Sequence, residues 1–226
     1  MKAPLFEYPT YQYQIKDWEF KKKGLLKRIK EEKFVRTDLQ TFETDRQTNK
    51  KSYLHYFQDL IKDELWEFVQ EAQVTCSMTD VWTVRYQKGD HQTIHNHKSW
   101  GFTGILYVEY DPKVHTPTCF VAPWHDPRQD TTSLAYPKEV KEGTLFISPS
   151  YTLHFVHPNQ VRKHRTIISF DLQPELPTGS NSPSNDRLTH TFSNFQNSVL
   201  SARVKQDNTS LLPWDNIRIT CFIQQL

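Results

Sequence analysis

Histidine is the residue type whose distribution most strongly suggests chemistry in this sequence. The chain of 226 residues has 10 histidines, and eight of them fall within positions 91–164. His95 and His97 are separated by one residue, so on a β-strand both side chains would face the same side of the sheet. His154 lies on a later predicted strand that can return to the same place. Three converging imidazoles can bind a divalent metal ion and leave other coordination positions open.

The choice of the third ligand depends on strand geometry. His157 lies three residues after His154, so on a regular strand it faces the opposite side, and this spacing favours His154. His91 would share the side of His95 if the strand extends that far. In that position it would support a metal ligand rather than bind the metal itself.

An arginine near these histidines suggests a site for an acid. Arg165 follows His154 by 11 residues, and a predicted hairpin would place it on the neighbouring strand. Ser169 lies four residues further on, hence on the same face as Arg165. A guanidinium beside a hydroxyl suits a carboxylate. An α-keto acid co-substrate needs this combination, because its keto acid end would chelate the metal while its far carboxylate pairs with Arg165.

The elements that must position these residues are predicted to be two helices followed by many short strands. Apolar spacing predicts helices at 17–33, with Asp17 as the N-cap, and at 52–73. Helices that precede closely spaced strands favour an antiparallel sandwich or barrel with a helical flank. The predicted strands cover 81–86, 93–97, 104–109, 119–122, 143–148, 152–157 and 165–172.

Three regions of the chain are predicted from these elements. They are a helical flank packed on the barrel at 1–80, a catalytic barrel core at 81–173, and a linker with a C-terminal extension at 174–226. The segment 174–186 is rich in Pro, Ser and Asn, which is typical of a linker. Alternating apolar residues at 217–223 predict one terminal strand.

Loops between these elements would shape the substrate pocket. The segments expected to do so are 36–51, 98–103 and 123–142. The last of them is long enough to act as a lid.

Composition excludes several classes of protein. The net charge of +2 disfavours nucleic acid as a partner. No apolar run approaches the roughly 20 residues that span a bilayer, and the first ten residues lack the apolar segment of a signal peptide. Cys76, Cys119 and Cys221 form no CxxC pair, which argues against a disulfide framework or a thiolate zinc site. These features predict a cytoplasmic protein.

Four segments together resemble a known enzyme family. The runs are HQTIHNHKSWGFTGILYVEYDP, CFVAPW, EGTLFISPSYTLHFVHPN and RTIISFDL. Over residues 82–171 they resemble the 2-oxoglutarate/Fe(II)-dependent oxygenases that are common in marine bacteriophages and bacteria. The glycine and histidine spacing also resembles both signatures of the cupin superfamily. The resemblance implies a mainly β protein with the double-stranded β-helix, or jelly-roll, fold. It also implies Fe(II), 2-oxoglutarate and O2 as reactants, with succinate and CO2 released.

The chain departs from the family pattern at the metal. The usual ligand set is two histidines and one carboxylate, whereas His97 stands where Asp or Glu is expected. The ligand set taken from the residues is therefore His95, His97 and His154. Asp90 or Glu109 would be an alternative source of a carboxylate, although their spacing does not favour it.

A second departure concerns the co-substrate. Many relatives carry Ser two positions after the arginine, where this chain has Ile167. Beside Arg165, the second contact to 2-oxoglutarate would then come from Ser169, Tyr107 or Thr103.

Three functions follow from these patterns. The first is a dioxygenase that hydroxylates a small-molecule or peptide substrate, located in the host cytoplasm if a bacteriophage encodes it. The second is a cupin-type three-histidine metalloenzyme that does not use 2-oxoglutarate. The third is a non-catalytic jelly-roll binding module. Each of the three functions is compatible with a homodimer.

Overall fold

A computed structural model describes residues 8–36, 41–48, 50–128 and 130–175 of the chain. Within these ranges the elements are β1 Tyr11–Gln14, α1 Trp18–Ile29, β2 Glu43–Thr44, α2 Leu54–Ala72, β3 Cys76–Tyr86, β4 Gln92–His95, β5 Phe102–Glu109, β6 Cys119–Asp126, β7 Thr131–Ala135, β8 Thr144–Pro149, β9 His154–Val156 and β10 Arg165–Pro174. The predicted terminal strand at 217–223 lies outside the described residues, as does most of the predicted linker at 174–186.

Two antiparallel sheets form the body of the protein. The larger sheet has the strand order β1-β8-β5-β10-β3-β2, and the smaller one has the order β4-β9-β6-β7. Apolar side chains from both sheets share one core, to which β3 contributes Trp82 and Val84, β5 contributes Ile105, and β9 contributes Val156. Two helices combined with two antiparallel sheets confirm the predicted jelly-roll with N-terminal helices.

The two helices cover the outer face of the larger sheet. Because side chains alternate along a strand, β10 points Ile168 and Phe170 outward, where they join a second core with Phe57 of α2 and Leu25 of α1. The intervening residues of β10, including Ser169, face the space between the sheets. The helices therefore hold β10 in place while its other face builds the site.

Several predicted boundaries were wrong. The first helix ends at Ile29, and Asp17 takes the N-cap position with φ 53° and makes no side-chain cap hydrogen bond. β4 ends at His95, so His97 lies beyond the strand. β7 occupies Thr131–Ala135, inside the predicted loop 123–142. All five of its residues are exposed, so it lacks the alternation that marks a half-buried strand.

No helix in the described ranges is long and apolar enough to cross a membrane.

Candidate metal and co-substrate site

Three histidines converge between the sheets. His95, His97 and His154 each offer a ring nitrogen, and these three atoms lie within 4.8 Å of one another. The ring centroids are 4.3 Å apart for His95 and His154, 5.2 Å for His97 and His154, and 5.5 Å for His95 and His97. Pairing of β4 with β9 places His95 directly opposite His154. Strand register thus accounts for two of the three positions.

His97 reaches the cluster from the bend after β4. Its backbone N–H donates to the Ser150 carbonyl at 2.9 Å, which fixes the bend against the chain preceding β9. Its ring Nδ1 lies 2.8 Å from Oδ1 of Asp171 on β10. Two hydrogen bonds to other parts of the chain therefore position this ring. The strand periodicity that predicted its position does not extend to His97.

The outer nitrogens of the other two rings are also engaged. Nδ1 of His95 lies 2.8 Å from the Thr93 carbonyl, and Nδ1 of His154 lies 2.9 Å from the Thr152 carbonyl. A carbonyl only accepts, so each Nδ1 carries the proton and each Nε2 carries the lone pair. This hydrogen bonding presents neutral imidazoles to a metal in the tautomer that can bind it.

Burial keeps two of these rings uncharged. Desolvation lowers the pKa of His154 to about 3, and the charge of His95 acts in the same direction. Desolvation also lowers the pKa of His95. At neutral pH both rings therefore keep their lone pairs free of protons. Imidazole donors suit Fe, Ni, Cu and Zn, and three of them leave coordination positions for further ligands.

Arg165 is a buried cation that has no anionic partner among the described residues. Its side chain is 2% exposed, and its Nη2 donates to the hydroxyl of Thr118 at 2.9 Å. Its Nε and Nη1 have no partner among the described residues. The guanidinium lies 5.0 Å from the ring centroid of Tyr86 and 5.5 Å from that of Tyr107. Aromatic rings offset only part of the cost of burying a charge, so this group can take an anionic ligand.

A line of polar side chains connects the arginine to the histidines. Nε2 of Gln92 lies 3.0 Å from Nε2 of His95, and the Tyr86 hydroxyl donates to Oε1 of Gln92 at 2.8 Å. Tyr86 in turn lies against Arg165. Thr118 borders the cavity of about 20 Å³ that the three histidines line. Arg165 itself lines a neighbouring cavity, also of about 20 Å³, and Thr118 links its guanidinium to the histidine cavity.

A protein family matches this part of the chain. Residues 80–171, which include the three histidines and Arg165, match a family model described as "Putative 2OG-Fe(II) oxygenase". This region is similar to the 2OG-Fe(II) oxygenases. Enzymes of the family are oxidoreductases whose cofactors are Fe(II) and 2-oxoglutarate. A search of curated proteins found no match.

Several solved structures share the fold of this chain. The α-ketoglutarate-dependent epimerase SnoN from nogalamycin biosynthesis is 12% identical, with a TM-score of 0.58 over 78% of this chain and 88% of its own. HygX from Streptomyces hygroscopicus, crystallised with nickel and 2-oxoglutarate, is 11% identical, with a TM-score of 0.58 over 75% and 84%. A Pseudomonas putida prolyl-4-hydroxylase is 11% identical, with a TM-score of 0.52 over 74% and 94%. At these identities the likeness shows the fold.

The other predicted co-substrate residues differ in their surroundings. Ser169 lines the histidine cavity. The Tyr107 hydroxyl accepts the backbone N–H of Thr118 at 3.1 Å. The Thr103 hydroxyl lies 2.9 Å from Nδ1 of His97 and donates to the Phe170 carbonyl at 3.1 Å. Thr103 therefore supports a metal-facing ring, whereas Ser169 borders the space beside it.

The alternative metal ligands are engaged elsewhere. Both oxygens of Asp90 accept from Arg36, at 2.8 and 2.6 Å. Glu109 accepts from the Thr166 hydroxyl at 2.6 Å. Neither carboxylate joins the histidine cluster found among the described residues.

The remaining histidines near the site do not join the cluster either. His157 stacks on Tyr136 and lies 2.9 Å from its hydroxyl, as expected for the opposite side of the strand. His91 is partly buried, and its Nδ1 lies 3.4 Å from the Gly89 carbonyl. His115 is buried, and its Nδ1 accepts the N–H of Asp111 while its Nε2 lies 3.1 Å from the Lys163 carbonyl.

Sequence reasoning missed three functional candidates. They are Gln92 and Thr118, which border the histidine cavity, and Asp171, which contacts His97. Asp171 follows Ser169 by two residues, so period-two reasoning along β10 would have placed it on the same face. No comparable signal marks Gln92 or Thr118.

A larger groove lies at the edge of the sandwich, between β1 and β8 on one side and β6 and β7 on the other. Its volume is about 470 Å³, and several aromatic rings line it, among them Trp124, Tyr136 and Phe146. Phe120 separates it from the histidines, with its ring centroid 5.5 Å from that of His154. The segment 123–142 borders this groove, and its role in substrate binding stays a prediction.

Proposed function

We propose that this protein is a dioxygenase that hydroxylates a small-molecule or peptide substrate and converts 2-oxoglutarate to succinate and CO2. His95, His97 and His154 would hold Fe(II), and Arg165 would bind the far carboxylate of 2-oxoglutarate. The observation that carries the proposal is the buried guanidinium, which has two nitrogens without a partner among the described residues and is linked through Thr118 to the cavity that three imidazoles line.

The residues around Arg165 are suited to a carboxylate. The guanidinium is held by the Thr118 hydroxyl through Nη2, so its Nε and Nη1 stay available to a ligand. Charge-assisted hydrogen bonds of this kind are roughly twice as strong as neutral ones. Ser169, on the same strand face, offers a hydroxyl between the arginine and the metal ligands.

The walls of the site control access to the reacting atoms. When bound, Fe(II) and 2-oxoglutarate together would activate O2 for oxidation of a substrate C–H bond. The chain itself keeps the three imidazoles oriented through their Nδ1 hydrogen bonds. Trp82, Ile105 and Ile167 line the same cavity with apolar surface, which excludes water from the metal-facing side.

The test is co-substrate turnover in a matched pair of variants. Purified protein loaded with Fe(II) should form succinate from 2-oxoglutarate in the presence of O2. His154→Ala should reduce this rate by more than about 100-fold, since losing a ligand exceeds the 10–100-fold effect of outer partners. His157→Ala is the control, because that ring stacks on Tyr136 instead of facing the cluster.

One result would favour the second function considered from the sequence. If the protein binds Fe(II) but consumes no 2-oxoglutarate, even without substrate, the dioxygenase assignment fails. A three-histidine metalloenzyme that does not use 2-oxoglutarate would then take its place.

A further inference from the structure

The ligand set of this site brings no negative charge to the metal. A set of two histidines and one carboxylate supplies one anionic ligand, whereas three neutral imidazoles supply none. A divalent ion in a buried site without a nearby anion carries a large desolvation cost. The residues around the cluster should therefore contain an anion that offsets the charge.

Asp171 is a buried carboxylate that contacts one ring of the histidine cluster. Its side chain is 2% exposed, and its Oδ1 lies 2.8 Å from Nδ1 of His97. Its Oδ2 lies 3.4 Å from the ammonium of Lys98, whose side chain is 39% exposed and also donates to Thr79. One oxygen of this carboxylate therefore faces a metal-facing ring, and the other faces a cation near the surface.

Thr103 fixes the direction of the hydrogen bond. Its hydroxyl has one proton, which it donates to the Phe170 carbonyl at 3.1 Å. It can therefore only accept from His97, whose Nδ1 lies 2.9 Å away. Asp171 and Thr103 both accept from Nδ1, so the proton sits on that nitrogen and Nε2 presents its lone pair to the metal.

We propose that Asp171 is a positioning residue that acts on the metal through His97. Its carboxylate supplies the negative charge that a carboxylate ligand would supply in the usual ligand set. Asp171 does so from behind His97, without binding the metal itself. The inference rests on the proposed three-histidine metal site and adds to it a residue that sets how tightly the metal is held.

The test is metal binding without turnover. Ni²⁺ is titrated into the full-length, metal-free protein by calorimetry, with no 2-oxoglutarate present. Asp171→Asn keeps an oxygen that can accept from His97 but removes the charge. It should weaken Ni²⁺ binding about 10–100-fold, the range for outer partners of metal-binding histidines.

Asp80→Asn is the matched control. Asp80 lies opposite Asp171 in the pairing of β10 with β3, and it forms an ion pair with Arg46 at 3.4 Å. Its substitution removes the same charge from the same strand pair without touching a metal-facing ring, so Ni²⁺ affinity should stay within about twofold of the wild type. Equal losses in both variants would overturn the proposal, as would no loss in Asp171→Asn.

Lys98→Gln tests the same idea without altering the buried side chains. It removes the ammonium that competes for Asp171, so Ni²⁺ should bind about two- to fivefold more tightly, with the gain decreasing at high salt. Unchanged or weaker binding would contradict the proposal even if Asp171→Asn fails to fold.

Failure of the metal site itself looks different. If the wild type does not bind Ni²⁺, or if His154→Ala binds it equally well, the three-histidine site is wrong, and the role of Asp171 falls with it.

Discussion

The histidine end of the site offers lone pairs to a ligand, whereas the arginine end offers N–H donors. At one end, Nδ1 of every imidazole is hydrogen bonded to a protein oxygen and the inward nitrogens offer lone pairs. At the other end, Arg165 offers N–H groups with no acceptor among the described residues. A metal satisfies the first end, and a carboxylate satisfies the second. A keto acid that binds a metal at one end and has a carboxylate at the other satisfies both at once.

The same contrast appears between two arginines. Arg36 is half-exposed and pairs with both oxygens of Asp90, so its charge is matched by the protein. Arg165 is almost completely buried and has a hydroxyl as its sole hydrogen-bond partner among the described residues. A protein carboxylate therefore neutralises Arg36, whereas the described residues provide no carboxylate for Arg165.

The largest expected effect comes from removing the unmatched charge. Arg165→Met should raise the 2-oxoglutarate concentration for half-maximal turnover by about 100-fold, since hydrogen bonds to a charged group contribute about 1.5–3 kcal/mol each. The thermal midpoint of the variant without cofactors should equal or exceed that of the wild type, because an unpaired buried charge is replaced by an apolar side chain. Both quantities are measured on the same preparations.

Arg36→Met is the control for that prediction. It breaks the pair with Asp90, so it should lower the thermal midpoint and leave the response to 2-oxoglutarate unchanged. A lower midpoint in Arg165→Met with unchanged 2-oxoglutarate dependence would show that Arg165 is structural.

A smaller effect is expected at the histidine end, and in the opposite direction. The amide of Gln92 donates to Nε2 of His95, the lone pair that a metal needs. Gln92→Leu removes this competition, which is worth about 1 kcal/mol for a neutral hydrogen bond, so Ni²⁺ should bind about fivefold more tightly. Calorimetric titration measures the change, with Gln87→Leu as a control because the side chain of Gln87 bonds to Glu43 away from the site. Weaker binding in Gln92→Leu would mean that Gln92 assists the metal.

The smallest effect concerns pH and the arginine end. Burial lowers the pKa of His115, and the charge of Arg165 acts in the same direction. The unfolded chain therefore takes up the proton at a higher pH than the folded protein, so the free energy of unfolding falls as pH falls below about 6.5. Protonation would also break the bond from the Asp111 N–H to Nδ1.

Urea unfolding of the metal-free protein at several pH values measures this dependence. His115→Gln should show a shallower slope below pH 6.5, by at most about 1.4 kcal/mol per pH unit for one proton. Identical slopes would mean that the pKa of His115 is the same in the folded and unfolded states.

Local patterns account for the parts of the fold and site that the sequence predicted. His95 and His154 lie on strands whose register brings them opposite each other. Arg165 and Ser169 lie four positions apart in β10, as period-two spacing on one face requires. Period-two alternation together with turn residues is enough to predict such positions.

The remaining features depend on contacts between distant segments. His97 is placed by hydrogen bonds to Ser150 and Asp171, which lie 53 and 74 positions further along the chain. The burial of His115 depends on the Lys163 carbonyl, 48 positions away. Strand alternation does not predict hydrogen bonds between residues so far apart in the sequence.

The position of Gln92 has a consequence for the order of events. Its amide bonds to His95 at one end and to the Tyr86 hydroxyl at the other. A metal that takes the lone pair of His95 displaces the amide and also releases that hydroxyl, which lies on the ring facing Arg165. Uptake of the cation and uptake of the keto acid should therefore be cooperative, and each should tighten the other by the same factor.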